Sequence, residues 1–362
     1  MRELIAEVIA DEASLEELRP EWEELSSPRV RDNPFLSHGW NCICAAYRGA
    51  GTVLNVIVLR DRAGKAQAIA PLAIETERAG PFRYRRLCFI GEGISDYHDF
   101  IARDDEPGLI AALWRETLEG GACWDRAKLC DFPASSPSLA ASAISGARLE
   151  LRRASPCPKM ELPSSWDELM ARLPVRLVKD AVYQERRLER EGRLEYSEVA
   201  TRHDVDSFLG DFFRLHEKRW GGTPTPSKFT KERARARMSE LAASMFDAGY
   251  ASYSRLSHDG RVIAAHLGFA TPSTMYYYMP AYDTDFDRYS IGRALYFKVL
   301  RAAFDRGIRS FDFLRGGEEY KLRWGGTEGW NEEALGHRWT LGWGASLALE
   351  VYRRLRDSVR GR

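Results

Sequence analysis

At 362 residues the chain is longer than one hydrophobic core usually supports, so two domains of ordinary size are expected. A content of 44% hydrophobic, 29% charged and 11% aromatic residues excludes global disorder, because that much apolar material offsets the entropy of ordering. Lys+Arg and Asp+Glu both number 53, and a net charge of zero argues against a general nucleic-acid binder, DNA included.

Six cysteines (Cys42, Cys44, Cys88, Cys123, Cys130, Cys157) fall at irregular spacings without a CxxC pair or a Cys/His cluster, so no metal site is expected. The first residues, from Met1 to Glu7, lack an apolar run of signal-peptide length, and no uncharged stretch approaches the roughly 20 residues that span a bilayer. The expectation is a reduced, cytoplasmic protein with mostly buried thiols.

The chain opens on a strand from Ile5 to Ile9 and a helix from about Ser14, its expected N-cap, to Leu25. A loop, Asn33-Pro34-Phe35-Leu36-Ser37, enters a second helix. β-rich runs at Val53–Leu59 and Ala66–Glu75 flank Asp61-Arg62-Ala63-Gly64-Lys65, a hairpin signal. Arg85–Ile90 is a strand, followed by a glycine-rich loop, Gly91 to Asp99, and a short strand at Phe100-Ile101. A helix at Glu106–Glu119 and a strand at Ala127–Asp131 complete this half. Ser/Pro-rich breaks at Pro133–Pro137 and Ser155–Pro158 place the domain junction near residue 155, giving domains 1–155 and 156–362. The run Arg148–Arg153 could belong to either side.

The second half repeats the order. Helices are expected at Trp166–Leu173, Lys179–Glu191, Asp204–Trp220 and Lys231–Phe246, with a strand at Leu194–Val199. Three successive antiparallel strands follow: Ala251–Leu256, Val262–Ala270 and Thr274–Tyr282. A helix from Gly292 to Arg306, a strand at Ile308–Leu314, an irregular strand region at Gly329–Gly342 and an amphipathic helix at Ala345–Val359 close the chain. Matching element order in two halves suggests a duplicated α/β unit.

Three segments carry chemistry. Tyr289-Ser290-Ile291-Gly292-Arg293-Ala294 places a glycine at a helix entrance, where exposed N–H groups and the helix dipole can seat a pyrophosphate; a tight strand-to-helix turn explains the glycine equally. Asp312 lies between Phe311 and Phe313, so alternation sends its carboxylate to the opposite sheet face, where Arg315 or Lys321 could pair with it. It then either serves chemistry or pins the loop that follows. The glycines flanking Tyr320-Lys321-x-x-Trp324 let backbone approach a ligand, although Trp324 also reads as a buried aromatic. The third segment, Ser95-Asp96-Tyr97-His98-Asp99, could hold a polar acceptor or act as acid and base; an Asx turn at Asp96 is the structural alternative. His266, inside an apolar strand, reads as a core histidine or a base. The charged helix at Lys179–Glu191 reads as a salt-bridged, solvated face.

Leu215-His216-x-x-Arg219-Trp220, Val262–Phe269, Tyr276-Tyr277-Tyr278-x-Pro280-x-Tyr282-Asp283, Gly292-Arg293-x-Leu295, Asp312-Phe313-x-x-Gly316 and Tyr320-Lys321-x-x-Trp324-Gly325 together resemble the CelD/BcsL-like GNAT acyltransferases. That family is associated with bacterial exopolysaccharide and cellulose biosynthesis and is related to the FemAB-type aminoacyltransferases. Asn33-Pro34-Phe35-x-Ser37 and Asp96-Tyr97-x-Asp99 extend the resemblance into the first half. It implies an α/β (α+β) fold of tandem GNAT-like domains, each a mixed, mostly antiparallel central sheet flanked by helices. The first would be degenerate and acceptor-side, the second catalytic and donor-side.

The resemblance also implies N-acyl transfer from acyl-CoA, acetyl-CoA or longer, to an amine, such as an amino sugar of an exopolysaccharide or its precursor. Peripheral association with a membrane glycan-synthesis complex would suit that role. Backbone around Met279 and Ala281 would orient the thioester, while Tyr289, Gly292, Arg293 and Ala294 would seat the donor. Tyr320 would protonate the leaving thiolate, and Asp312 or His266 would receive the amine proton. Asp96, Tyr97, Asp99, Arg219, Trp220, Arg315, Lys321 and Trp324 would contact substrate. The donor loop departs from the usual Arg/Gln-x-x-Gly-x-Gly/Ala pattern, starting at Tyr289 and keeping only Gly292 and Ala294. That leaves open an aminoacyl-tRNA donor, with Lys231, Arg233, Arg235 and Arg237 as the RNA surface, or a non-catalytic scaffold of a polysaccharide-synthesis complex.

Overall fold

The computed structural model describes residues 3–79, 82–146, 149–338 and 344; the helix expected at Ala345–Val359 lies outside them. Two compact units form, one from the residues up to Ser155 together with the segment from Trp330 onward, the other from Pro156–Gly329. Among the described residues no helix is long and apolar enough to cross a membrane.

The first unit contains strands β1 (Ile5–Ile9), β2 (Thr52–Leu54), β3 (Val56–Arg60), β4 (Ala66–Ala70), β5 (Leu72–Ala79), β6 (Phe82–Phe89), β7 (Ile101–Ala102), β8 (Arg126–Pro133), β9 (Glu150–Pro156) and β16 (Trp330–His337). They form a four-stranded sheet, β1-β3-β4-β7, and a six-stranded one, β2-β5-β6-β8-β16-β9. The expected hairpin is present, but each arm breaks once, at Asn55 and at Pro71, and so contributes to both sheets. Pro71 has no N–H for a ladder, and Asn55 N–H donates to the Leu72 carbonyl at 2.9 Å.

Its helices are α1 (Glu12–Glu17), α2 (Arg19–Leu25), α3 (Pro28–Arg31), α4 (His38–Ala46), α5 (Pro107–Glu119) and α6 (Pro137–Ser142). The single helix expected over residues 14–25 is two, because Pro20 cannot continue an intrahelical ladder. Its cap is Asp11, whose carboxylate accepts from Ser14 N–H at 2.9 Å, not Ser14 itself. The crossover helix α5 buries Leu109, Ile110, Leu113 and Trp114 and joins the parallel pair β6 and β8.

The second unit contains β10 (Lys159–Glu161), β11 (Leu194–Glu198), β12 (Ala251–His258), β13 (Arg261–Ala270), β14 (Thr274–Tyr282) and β15 (Ser310–Asp312) in one sheet, ordered β10-β15-β14-β13-β12-β11. Only β14 and β15 run parallel. Its helices are α7 (Trp166–Arg172), α8 (Val175–Glu191), α9 (Asp204–Trp220), α10 (Glu232–Asp247), α11 (Ile291–Asp305) and α12 (Glu319–Arg323). Helix α9 buries Val205, Phe208, Leu209, Phe212 and Leu215, the apolar stripe that helical spacing predicts.

One boundary expectation is corrected. Residues from 330 onward were assigned to the second domain, yet β16 lies between β8 and β9 in the first unit, with Ala334 and Leu335 buried. Conversely β10, which follows β9 in sequence, pairs with β15 in the second unit. Apart from the two-residue β7 inserted after β6, the element order repeats, β6-α5-β8-α6-β9 beside β14-α11-β15-α12-β16, but the last strand of the second series completes the first unit.

Candidate active site

The site forms where β14 leaves β15. Thr274–Tyr276 pair with Ser310–Asp312, and from Tyr277 onward β14 continues to Tyr282 against β13 alone. Leu267 opposes Met279 while Phe269 opposes Tyr276, so β14 carries one extra residue, a bulge at Tyr277–Tyr278 that twists the strand away. The Pro280 carbonyl accepts from Arg219 Nη1 at 3.0 Å. Across a trans peptide the Ala281 N–H points the opposite way, toward β13. The amides of Met279 and Ala281 therefore belong to the β13 side, where these residues pair with Leu267 and Ala265.

Helix α11 begins in this opening. Ser290, at φ 51°, supplies no side-chain cap, and its carbonyl takes the Arg293 and Ala294 N–H groups at 2.8 and 3.3 Å. The N–H groups of Ile291 and Gly292 are the orphan donors of the helix start, at the positive end of its dipole. A Cβ on Gly292 would lie 3.1 Å from the Tyr282 ring, so a larger residue there would press on that ring.

A cavity of about 400 Å³ fills the opening. Strand β14 contributes Tyr277, Pro280 and Tyr282; the start of α11 contributes Ser290, Ile291, Gly292, Arg293 and Tyr296. Arg219 reaches in from the end of α9, its guanidinium 4.2 Å over the Tyr282 ring. Tyr320, Arg323 and Trp324 close the far side. Burial pushes the Tyr320 phenol up to about 12, so it stays protonated although the residue is 39% exposed. Behind the wall, His266 is fully buried and stacked on Tyr277 at 4.5 Å, and neither ring nitrogen has a hydrogen-bond partner among the described residues. Burial lowers it to about 3 and keeps the imidazole neutral. The Tyr296 hydroxyl, also buried, likewise has no partner among the described residues.

Thus the fold brings Arg219, Gly292, Arg293, Tyr320 and Trp324 to one cavity. The other expected residues lie elsewhere. Asp312 is fully buried, accepts from Leu314 N–H at 2.8 Å and pairs with Lys159 at 3.1 Å. Lys321, one of its two expected partners, instead directs its ammonium to the Leu314 and Arg315 carbonyls, at 3.3 and 2.6 Å, and to Glu318 at 2.9 Å. Sequence reasoning overlooked Lys159 because β10 is distant along the chain. Tyr289 is buried in the core and donates its hydroxyl to Glu191, and Ala294 is buried within α11. Trp220 ends α9, with its ring 6.2 Å from His216.

Asp96, Tyr97 and Asp99 are buried in the first unit. Asn331 Nδ2 donates to the Asp96 carbonyl at 2.7 Å, Tyr97 meets Phe35 edge-on, and Asp99 pairs with Arg29 at 2.9 Å. Burial pushes the Asp99 carboxyl upward against the pull of Arg29. Of the basic run on α10, Arg235 pairs with Glu217 and donates to the Phe229 carbonyl at 2.6 Å. Tyr277, Tyr282 and Tyr296 were not foreseen as a set; the aromatic repeat in Tyr276-Tyr277-Tyr278 was the signal, and only the bulge decides which ring turns inward.

Among the described residues Glu16, His38 and Cys42 form one group with ligand atoms within 4.8 Å of one another. Its atoms are already engaged: His38 Nε2 lies 2.8 Å from the Leu15 carbonyl, Arg19 pairs with Glu16, and burial holds the Cys42 thiol protonated at about 12.

Residues 176–322, all within the second unit, match the family model of the acetyltransferase (GNAT) domain. Three solved structures extend the likeness to most of the chain. A FemX structure is 11% identical with a TM-score of 0.59, covering 87% of this chain and 95% of its own. The C-terminal domain of a putative lysylphosphatidylglycerol synthetase from Agrobacterium fabrum is 14% identical with a TM-score of 0.58, covering 94% and 96%. L-PGS from Bacillus licheniformis is 11% identical with a TM-score of 0.56, covering 92% and 96%. At such identities the likeness shows the fold alone, mixed sheets flanked by helices. No curated protein matches the sequence.

Proposed function

We propose that the second unit transfers an acyl group from acyl-CoA to an amine, with the donor entering the wedge beside β14. The observation that carries this reading is the junction of a released strand edge with the uncapped start of α11 at a cavity closed by a protonated phenol. Ile291 and Gly292 N–H, backed by Arg293 and Arg219, suit a diphosphate. The released edge of β14 lies where an extended pantetheine could pair as a strand would.

The amine nitrogen attacks the thioester carbonyl, the new C–N bond forms and the C–S bond breaks. Tyr320 gives its proton to the departing sulfur, and the phenolate is reprotonated through solvent by the proton the amine loses. A phenol held near 12 keeps its proton until the sulfur departs, at the cost of being a weaker acid than a free tyrosine. His266, held near 3, is too weak a base for an ammonium, so its part is to support the Tyr277 ring. Asp312 supports the strand end through Lys159 and Leu314.

Motif resemblance to the CelD/BcsL-like enzymes favours an amino-sugar acceptor of a bacterial exopolysaccharide or its precursor. Calorimetric titration with acetyl-CoA and longer acyl-CoAs tests the donor. Saturable binding lost on charge reversal of Arg219 is expected; absence of binding with every CoA ester, alongside binding of aminoacyl-tRNA, would replace the donor, and absence of both would leave a scaffold.

A further inference from the structure

Helix α8 segregates its charges. On the side toward α11 and the turn before it, Asp180 pairs with Arg293, Glu185 with Lys298, and Glu191 with Arg288 and the Tyr289 hydroxyl. That side also holds Ala181 and Leu188, the only residues of α8 that are fully buried. With its acids turned inward, the helix presents Arg176, Lys179, Tyr183, Arg186 and Arg190 outward at alternating spacings of three and four, one continuous stripe.

All five are exposed, and among the described residues none of the four cations has an acidic partner. Val175 and Tyr183 stand 63% and 55% exposed beside them. Glu189, at the flank, and Glu191, paired with Arg288, are the exposed acids of the helix. In a chain of zero net charge this is a local excess that the composition conceals.

We propose that the outer face of α8 docks on an anionic phospholipid surface. Charge complementarity to lipid phosphates selects the basic stripe, and Val175 and Tyr183 are placed to enter the headgroup boundary. Aliphatic Val175 and the half-buried Val182 gain nothing from a sugar–phosphate backbone, which favours a bilayer over RNA. The placement has a consequence for the site: Leu177, Ser290, Arg293 and Arg323 line both the cavity and the groove that Arg176 and Lys179 border. A bilayer along the stripe would present the amine of a lipid-linked acceptor at the cavity mouth.

The test is flotation of the full chain with phosphatidylcholine vesicles, with and without phosphatidylglycerol. Partition onto the anionic vesicles alone, weakened by added salt, is expected. Lys179→Gln with Arg186→Gln should weaken it roughly 30-fold, two lost charges at the membrane surface, while thermal melting and CoA binding stay unchanged. Tyr183→Ser should reduce the salt-resistant part of the partition without altering the salt slope. Equal partition onto both vesicle types, or partition indifferent to these substitutions, overturns the proposal. So does binding of tRNA, lost in the same double variant, by a chain that ignores vesicles. CoA binding is read separately, so failure here leaves the donor reading standing.

Discussion

Tyr320 and His266 show how burial sets what a side chain can do. Both face aromatic surroundings, but desolvation moves the phenol up to about 12 and the imidazole down to about 3, in each case favouring the neutral form. Tyr320→Phe should therefore lower turnover by about 100-fold or more, with KM and the melting temperature little changed, since the residue is part-exposed; an unaltered rate would remove it from the mechanism. Because its pKa is raised, the alkaline limb of the pH–rate profile should show no loss from Tyr320 between pH 8 and 10 (roughly two units below its pKa or more). For His266 the sign is the reverse: an unfolded histidine takes a proton below about pH 6.5, the folded one only near 3. Stability present above pH 6.5 is then lost as pH falls toward 3, amounting to a few kcal/mol at most. His266→Phe should flatten that acid decline in denaturant melts, leaving the share due to His216, which burial lowers to about 4. Asp312 marks the limit of reading residues singly. Its need for a partner was legible from its place between two phenylalanines, while the identity of Lys159 was not.

Elements were read well where periodicity was strong and poorly where a single backbone group decided. The stripe of α9 and the three strands around β13 follow directly from spacing. The split of α1 from α2, the breaks at Asn55 and Pro71 and the bulge at Tyr277–Tyr278 rest on one missing N–H or one extra residue. The start of α11 is the most exacting element of the site. Gly292→Val should press on Tyr282 and narrow the donor seat, weakening acyl-CoA binding by tenfold or more (about 1.4 kcal/mol) with a smaller change in melting temperature. Calorimetry against the unaltered chain checks this. The α12 segment depends on its buried lysine: Lys321→Met would leave the Leu314 and Arg315 carbonyls without their donor and should cost about 2–3 kcal/mol in urea unfolding. The positive φ of Gly316 and the contact its Cβ would make with Lys321 Nζ, at 2.8 Å, show how closely that loop is wrapped.

At the scale of the molecule, the two units are covalently interleaved by their strands. A chain ending at Gly329 would keep every residue of the second unit but remove β16 from between β8 and β9. The first unit should then expose the β8 edge and the apolar surface around Leu129 and Phe132, detectable as dye binding and aggregation, whereas a soluble, cooperatively folding first unit would refute this dependence. Length, composition and the repeated order of periodic segments determined by themselves that this is a two-unit α/β chain, and the ordered motifs from Leu215 to Gly325 pointed to acyl transfer. Those signals are local, carried by residues that neighbour one another along a strand or on a helix face. What the tertiary structure alone decided is long-range: that β16 belongs to the first unit, that Lys159 meets Asp312, that Asp96–Asp99 is packed inside its own unit, and that the acids of α8 turn inward. Each depends on which distant strand or helix supplies the facing surface, and no spacing within a segment encodes its partner.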